Sequence, residues 1–205
     1  FNGVFGTDTA GFAPTPLMSR YGLRATGFTT NINGAATPIY PWWKQDSRFD
    51  LAKEPNESNR FGYVVEIDPY NPTARPAKRT AMCRFKHENC ERLLAADGRV
   101  VYYMGCDERN EYIYKFVTDG KFDANNRAAN FNLLDNGTLY VAKFNDDGTG
   151  QWLPLVLGQS GLNAANGWTS QADISIRTRQ AADRAGATSM DRPEWVAVNR
   201  KTNDV

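Results

Sequence analysis

The chain has only one histidine, His87, among 205 residues, which excludes any site that needs several imidazole ligands, including most zinc hydrolase centres. It also has no large excess of either charge. Its 24 Lys and Arg against 23 Asp and Glu give a net charge of +1, so no extended field favours nucleic acid or an acidic membrane surface. No apolar run is long enough to cross a bilayer, and no signal peptide is present. The sequence therefore predicts neither a nucleic-acid nor a membrane partner.

Cysteine is also scarce. Cys83, Cys90 and Cys106 are an odd number, and no Cys-x-x-Cys pair occurs, so one disulfide with a free thiol and three free thiols both stay open. The chain starts at Phe1 without a methionine and stops at Val205 without a closing element. We expect residues 1–205 to be one partial domain, a central slice that is truncated at both ends.

Aromatic residues are abundant, at 12% of the chain, which suits a β-rich fold. The clearest element is Val100–Phe116, in which two runs of β-branched and aromatic residues flank an acidic connector, Gly105–Asn110. This pattern predicts a hairpin that carries Asp107 and Glu108 near its tip.

Other elements follow from alternation and turn residues. Strands are predicted over Gly62–Pro69, Arg79–Phe85, Gly137–Phe144 and Gln151–Val156, and one helix over Ala172–Ala185. Pro154 places its strand at a sheet edge, and Gly186 ends the helix. Short strands, Gly, Asp and Pro turns and one helical insertion predict an all-β fold, either a sandwich or a propeller.

Carboxylates recur within or just after these strands. Glu66 lies inside an apolar strand, where it requires an Arg, a Lys or a metal ion unless the position is exposed. Glu88 follows another strand, and Glu108 belongs to the hairpin tip. Oxygen ligands of this kind suit a hard cation. One isolated charged turn is explained more simply as a solvated surface. The hypothesis of a cation site therefore depends on the recurrence of carboxylates at several strand ends.

Several motifs in a fixed order resemble the PhoX-type alkaline phosphatases. They are Glu66–Pro69 (EIDP), Arg84–Glu88 (RFKHE), Tyr103–Arg109 (YMGCDER), Tyr112–Phe116 (YIYKF), Gly137–Ala142 (GTLYVA) and Met190–Trp195 (MDRPEW). The resemblance covers essentially the whole chain, which corresponds to a central part of such an enzyme.

The resemblance implies a six-bladed β-propeller that hydrolyses small-molecule phosphate monoesters with calcium and ferric iron. It implies a protein that is monomeric at full length and is exported by the twin-arginine route to the periplasm or beyond. In such chemistry, cations held by carboxylates neutralise charge on the phosphoryl oxygens, and an arginine fork matches two of those oxygens.

Carried over residue by residue, the resemblance implies Glu88 and Glu194 as metal ligands and Arg192 as the residue that binds phosphate. Glu66 and then Glu108 are further ligand candidates. Without the resemblance, Arg192 and Glu194 read as an ordinary ion pair at the start of a strand. His87 reads as a structural hydrogen-bonding residue.

Two departures from the family pattern matter. Cys106 stands where an acidic residue is expected, which weakens a ligand role for that turn. The family's cysteine ligand to iron belongs to a Cys-Glu-Glu-Asn stretch just before a Phe-Asn-Gly like Phe1–Gly3, and this stretch is absent. None of the three cysteines replaces it by position, so we expect the segment alone to lack a complete cluster and to be inactive.

Two other functions stay open at this stage. A calcium-dependent, lactonase-like propeller hydrolase would act on lactones without iron. A non-catalytic propeller that binds a partner would tolerate Glu88→Gln and Arg192→Ala.

Overall fold

The computed structural model describes residues 2–205, and its contacts divide the chain into two compact units, Phe1–Gly62 and Tyr63–Val205. The first unit holds helix α1 (Pro16–Arg20) and a hairpin of strands β1 (Thr29–Ile32) and β2 (Ala35–Pro38). Thr15 caps α1 by accepting a hydrogen bond from the Met18 amide at 3.2 Å. A small core of this unit comprises Phe5, Met18, Tyr21, Leu23 and Leu51.

The second unit is built on an antiparallel sheet. Its strands are β3 (Val65–Glu66), β4 (Ala77–Lys78), β5 (Glu91–Leu94), β6 (Arg99–Gly105), β7 (Arg109–Glu111), β8 (Ile113–Lys121), β9 (Gly137–Phe144), β10 (Gly150–Pro154) and β11 (Met190–Asp191). Five of them form one sheet in the order β10-β9-β8-β6-β5, while β3 pairs with β4 and β7 with β11. The fold of the described residues is thus β-rich, with few helices.

The predicted hairpin at the centre of this sheet is confirmed. β6 pairs with β8 in a register that places Met104 opposite Tyr114 and Tyr102 opposite Phe116. Met104, Tyr114 and Phe116 are fully buried in the main core, with Leu139 and Val141 of the next strand. Alternation of these residues along each strand supplies the apolar face that the core requires. The predicted β9 is also confirmed, and β10 is an edge strand as Pro154 indicated.

The prediction of one helix over Ala172–Ala185 is wrong at one position. The structure has two helices, α2 (Gln171–Ile176) and α3 (Thr178–Ala185), because Arg177 leaves the helical region at φ −101° and ψ 33°. The buried Thr178 hydroxyl accepts a hydrogen bond from the Arg84 amide at 3.0 Å, so a distant segment fixes the break. Gly186 ends α3 at φ +77°, as predicted.

Two strand predictions fail or shrink. Arg79–Phe85 is not a strand but contains a 3₁₀ helix, Thr80–Met82, and Cys83 after it has φ +64°, which no regular strand contains. In Gly62–Pro69, only β3 forms ladder pairs, and Val65 and Ile67 are exposed. Local alternation suggested a strand in both places, but tertiary contacts decided otherwise.

Short 3₁₀ helices occupy several connections. They are Asn2–Val4, Trp42–Lys44, Ser47–Phe49, Glu57–Arg60, Arg127–Asn130, Leu133–Asp135 and Ala164–Asn166. Within residues 2–205, no helix combines the length and the apolar character that crossing a bilayer requires.

Candidate active site at the end of β6

Three chain segments meet at Gly105, the last residue of β6. The Glu88 amide donates a hydrogen bond to the Gly105 carbonyl at 3.2 Å. On the same residue, a Cβ atom would lie 2.2 Å from the Pro193 carbonyl oxygen and 2.3 Å from that of Glu194. Both segments that carry predicted ligands therefore contact one glycine, which brings the backbones of Glu88 and Glu194 close together.

A reciprocal pair of hydrogen bonds holds these two segments in register. The Asn89 side-chain amide donates to the Val196 carbonyl at 2.6 Å, and the Val196 amide donates back to Asn89 Oδ1 at 3.2 Å. A side-chain amide used in this way replaces a missing strand pair and satisfies both backbone groups. On the other side, His87 forms an isolated bridge with Cys106.

Arg192 is fixed through its backbone. β11 pairs with β7 immediately before it, and the Arg192 amide donates to the Glu108 carbonyl at 3.1 Å. Its φ of +56° is a left-handed conformation that is uncommon outside glycine. This turn directs the chain back towards Gly105, so that Glu194 follows two residues later at the same strand end.

The Arg192 guanidinium lies between two carboxylates. Its Nε donates to Asp107 Oδ1 at 2.8 Å and its Nη2 to Asp107 Oδ2 at 3.1 Å, while Glu194 Oε1 is 3.1 Å from Nη2. The hydrogen bonds and charge of Asp107, then the charge of Glu194, raise the pKa of Arg192. The side chain of Arg192 is 53% exposed, so an anion from solvent can reach this permanent cation.

Glu108 is paired with a different cation. Partial burial would raise the pKa of Glu108, but its ion pair and hydrogen bond with Lys86 lower it overall. Glu108 is therefore an ionised carboxylate that is neutralised by a lysine of the adjacent segment.

Glu88 differs from both of these carboxylates. It is exposed, and among residues 2–205 its carboxylate forms neither an ion pair nor a side-chain hydrogen bond. An exposed carboxylate without a cationic side chain as partner is a suitable ligand for a cation.

The model for the family "alkaline phosphatase PhoX" matches residues 1–205. The chain belongs to the PhoX alkaline phosphatase family. Its similarity to a solved structure is high: Pseudomonas fluorescens PhoX, in complex with vanadate, a transition state analogue, is 45% identical, with a TM-score of 0.91. That match covers 99% of this chain and 35% of the relative's chain, so the chain spans about a third of the relative. No curated protein matches the chain.

In this PhoX family member, Glu66 makes a separate set of contacts. Its carboxylate accepts a hydrogen bond from the buried Arg79 Nε at 2.7 Å, and Arg79 Nη1 also binds Asp135 at 2.7 Å. The three residues line an open cleft of about 580 Å³. No contact joins Glu66 to Glu88 or Glu194 in the described part of the chain, and arginine already provides the partner that the sequence required.

The metal-binding capacity of the PhoX segment is partial. Glu88 and Glu194 lie on two segments whose backbones both contact Gly105, which fits part of a cation site. However, nowhere in residues 2–205 do three or more His, Cys, Asp or Glu side chains form a group that could hold a metal ion. The residues present therefore fit such a site only if further ligands join them.

The single histidine and the cysteines have structural surroundings. His87 stacks on Phe85 with ring centroids 3.6 Å apart, and its Nε2 lies 3.1 Å from the Cys83 carbonyl. Burial lowers the pKa of His87 to about 4. All three cysteines are free, and burial raises the pKa of Cys83 and Cys106 to about 11. These thiols are protonated near neutral pH.

Sequence reasoning missed three residues that build the site. Gly105 permits the close approach of the Glu194 segment, Asn89 fixes its register, and Asp107 holds Arg192. Asp107 lies in the acidic hairpin tip that was identified from the sequence. Its partner, Arg192, is 85 residues away in the chain, so the sequence did not predict the pair. Gly105 and Asn89 carry no signal that separates them from ordinary turn residues.

Proposed function

We propose that this chain forms part of a metal-dependent alkaline phosphatase that hydrolyses small-molecule phosphate monoesters. The observation that carries the proposal is that the backbones of Glu88 and Glu194 both contact Gly105, while the Arg192 guanidinium lies 3.1 Å from the Glu194 carboxylate. Two carboxylates and one exposed arginine are the groups that binding of a cation together with a phosphate requires. Membership of the PhoX family and the vanadate bound to the Pseudomonas fluorescens relative support the same activity.

Glu88 and Glu194 are the proposed metal ligands, with calcium and ferric iron as the proposed ions. When bound, such cations supply Lewis-acid neutralisation of charge on the phosphoryl group. Glu66 and Glu108 are weaker ligand candidates because each is already paired with a cationic side chain, Arg79 and Lys86 respectively. The remaining ligands would come from outside the described residues.

Arg192 is the proposed phosphate-binding residue. Its guanidinium is exposed, always charged and planar, so that two N–H groups can donate to two phosphoryl oxygens at once. The distance of 3.1 Å between Arg192 Nη2 and Glu194 Oε1 supports a phosphate site next to one of the proposed ligands. The protein thereby orients the phosphate next to the positive charge that stabilises the transferring group.

The proposal extends to the fold and location of the whole protein. The five strands β10-β9-β8-β6-β5 follow an up-and-down order with antiparallel neighbours, which supports a propeller blade, although a blade typically has four strands. We propose a six-bladed propeller that is monomeric and exported to the periplasm or beyond.

The test is a calcium-dependent phosphomonoesterase assay with p-nitrophenyl phosphate on the full-length gene product, with metal content measured on the same sample. Glu88→Gln and Arg192→Ala are each expected to abolish turnover while the fold survives. The matched controls are Asp97→Asn and Arg99→Ala, which break an exposed ion pair at the opposite end of β6, roughly 20 Å away at the rise of a β-strand.

Each alternative outcome has a distinct meaning. Calcium without iron or phosphatase activity, together with lactone hydrolysis, would indicate a lactonase-like enzyme. Absence of both metal and activity would indicate a binding module. Phosphatase activity that survives in Glu88→Gln or Arg192→Ala would contradict the roles assigned to these residues.

A further inference from the structure

We infer that Asp107 is a positioning residue, which holds the Arg192 guanidinium in the orientation in which it receives the phosphate. The inference rests on the proposed phosphatase function. Asp107 itself does not contact the substrate in this scheme, because it acts through Arg192.

The division of the guanidinium's donors carries the argument. Asp107 binds the edge formed by Nε and Nη2, at 2.8 and 3.1 Å, and Glu194 approaches Nη2 at 3.1 Å. Within residues 2–205, Nη1 makes no hydrogen bond or ion pair. A guanidinium has five N–H donors, and the two on Nη1 therefore remain for an incoming anion. Asp107 thus occupies Nε and Nη2 of the guanidinium and leaves Nη1 available to an anion from solvent.

The backbone of Asp107 is itself held in place. Its amide donates to the Lys86 carbonyl at 3.1 Å, and the preceding Cys106 amide donates to the Tyr112 carbonyl at 3.1 Å. The side chain of Asp107 is only 23% exposed, against 53% for Arg192. Asp107 is thus the less exposed partner, and its side chain is much shorter than that of Arg192, so we infer that the aspartate orients the arginine rather than the reverse.

The backbone reinforces the same pair. The Arg192 amide donates to the carbonyl of Glu108, the neighbour of Asp107, at 3.1 Å. Backbone and side chain of Arg192 are therefore both attached to the 107–108 turn. With the backbone of Arg192 held, only its guanidinium group still needs to be fixed. The two coplanar hydrogen bonds to Asp107 fix the rotation of that group.

A purely electrostatic role and a positioning role of Asp107 predict opposite changes in anion binding when its charge is removed, which makes the inference testable. Asp107 adds a negative charge near the phosphate, so its neutralisation should strengthen anion binding if charge were all that mattered. If Asp107 positions Arg192, the same substitution releases the fork and weakens anion binding. Misplacement of a substrate-binding group by about 1 Å can reduce turnover by about 100-fold.

The experiment compares Asp107→Asn, Asp107→Glu and the control Asp97→Asn in the full-length gene product. The measurements are kcat and KM for p-nitrophenyl phosphate, the inhibition constant of vanadate and the metal content. We expect Asp107→Asn to lower kcat/KM by roughly 10- to 100-fold and to raise the vanadate inhibition constant. Metal content should not change. Asp107→Glu, which keeps the carboxylate, should recover part of the loss, and Asp97→Asn should match the wild type.

A second comparison separates positioning from general damage. Arg192→Lys keeps the charge but removes the fork, so Asp107→Asn should have little additional effect on vanadate binding in that background. Equal losses in both backgrounds would overturn the inference, as would unchanged or tighter vanadate binding in Asp107→Asn. If Asp107→Asn does not fold, the Asp107→Glu variant decides by its KM and vanadate constant. A wild-type protein without phosphatase activity would refute the proposed function instead, and with it the premise of this inference.

Discussion

Replacement of Gly105 by alanine tests whether contact at this residue assembles the site. The added Cβ would lie 2.2 Å from the Pro193 carbonyl oxygen, 2.3 Å from the Glu194 carbonyl oxygen and 2.8 Å from the Pro193 carbonyl carbon. All three are backbone atoms, which no side-chain rotation can move aside. Since Cβ contacts below 3.0 Å essentially never occur, the Glu194 segment must retreat from β6 by at least about 0.8 Å, the difference between 3.0 and 2.2 Å.

A displacement of this size has different consequences for activity and for stability. We expect kcat/KM for p-nitrophenyl phosphate to fall about 100-fold, because Arg192 and Glu194 move together away from Glu88. Overpacking at one position costs about 1–3 kcal/mol, so most of the fold should survive.

The assay measures activity and the urea midpoint of the full-length gene product for Gly105→Ala and for a control, Gly120→Ala. Gly120 also lies in a strand, but a Cβ there meets only the end of the Leu133 side chain, at 2.9 Å, which can rotate away. Activity of Gly105→Ala within about twofold of the wild type would refute the reasoning, because a shift of nearly 1 Å should cost far more.

Two further predictions concern stability. Glu111→Gln should cost about 3–5 kcal/mol, because it removes the negative charge 3.4 Å from the Arg179 guanidinium, which is only 1% exposed. Urea unfolding checks this, and a midpoint as little affected as that of Asp97→Asn would contradict it. Asp50→Asn should cost about 1–3 kcal/mol near neutral pH, because the buried Asp50 carboxylate accepts a hydrogen bond from the Ala52 amide at 3.0 Å. Burial would raise the pKa of Asp50, but the hydrogen bonds with Thr7 and Ala52 and the charge of Lys53 lower it below 3.8. The contribution of the ionised carboxylate to the free energy of unfolding is therefore present above that pH and is lost as the pH falls through the folded-state pKa. The difference between the two proteins should therefore shrink in acid, and a constant difference down to about pH 2 would contradict the assignment.

The central sheet could be predicted from the sequence because its determinants are local. β8 alternates buried and half-buried residues, β6 is a continuous run of β-branched and aromatic residues, and the connector between them is polar. Pro154 lacks the amide that a central strand would need, which fixes β10 at the edge. Gly186 has a similarly local effect, since its φ of +77° is readily available to glycine.

The failures have a common cause in long-range contacts. Arg79–Phe85 has strand-like residues, but Arg84 is completely buried, and its amide binds the Thr178 hydroxyl and the Ser175 carbonyl. The same Thr178 marks the break between α2 and α3. One contact between distant segments therefore explains both the lost strand and the divided helix, and no window of sequence contains both partners.

In the candidate site, too, the sequence identifies the functional residues but not the partners that they contact. The resemblance named Glu88, Arg192 and Glu194 as site residues, and their roles stay predictions. The structure shows that the backbones of Glu88 and Glu194 both contact Gly105 and that Arg192 pairs with Glu194. Which cationic side chain pairs with each carboxylate could not be predicted from the sequence. Glu66 was expected to need an Arg, a Lys or a metal ion, and only the fold reveals that Arg79 is its partner.

The cysteine at position 106 illustrates how a departure from a family pattern can be explained by its surroundings. Cys106 is fully buried, and its sulfur lies 3.3 Å from Arg179 Nη2, while Arg179 also pairs with the buried Glu111. An acidic residue at 106 would place a second negative charge beside Glu111 against a single arginine, out of water, and the net buried charge would be costly. A neutral thiol avoids that cost and keeps its weak hydrogen bond with Arg179. The neighbouring acidic residue of this turn, Asp107, accepts a hydrogen bond from Arg192.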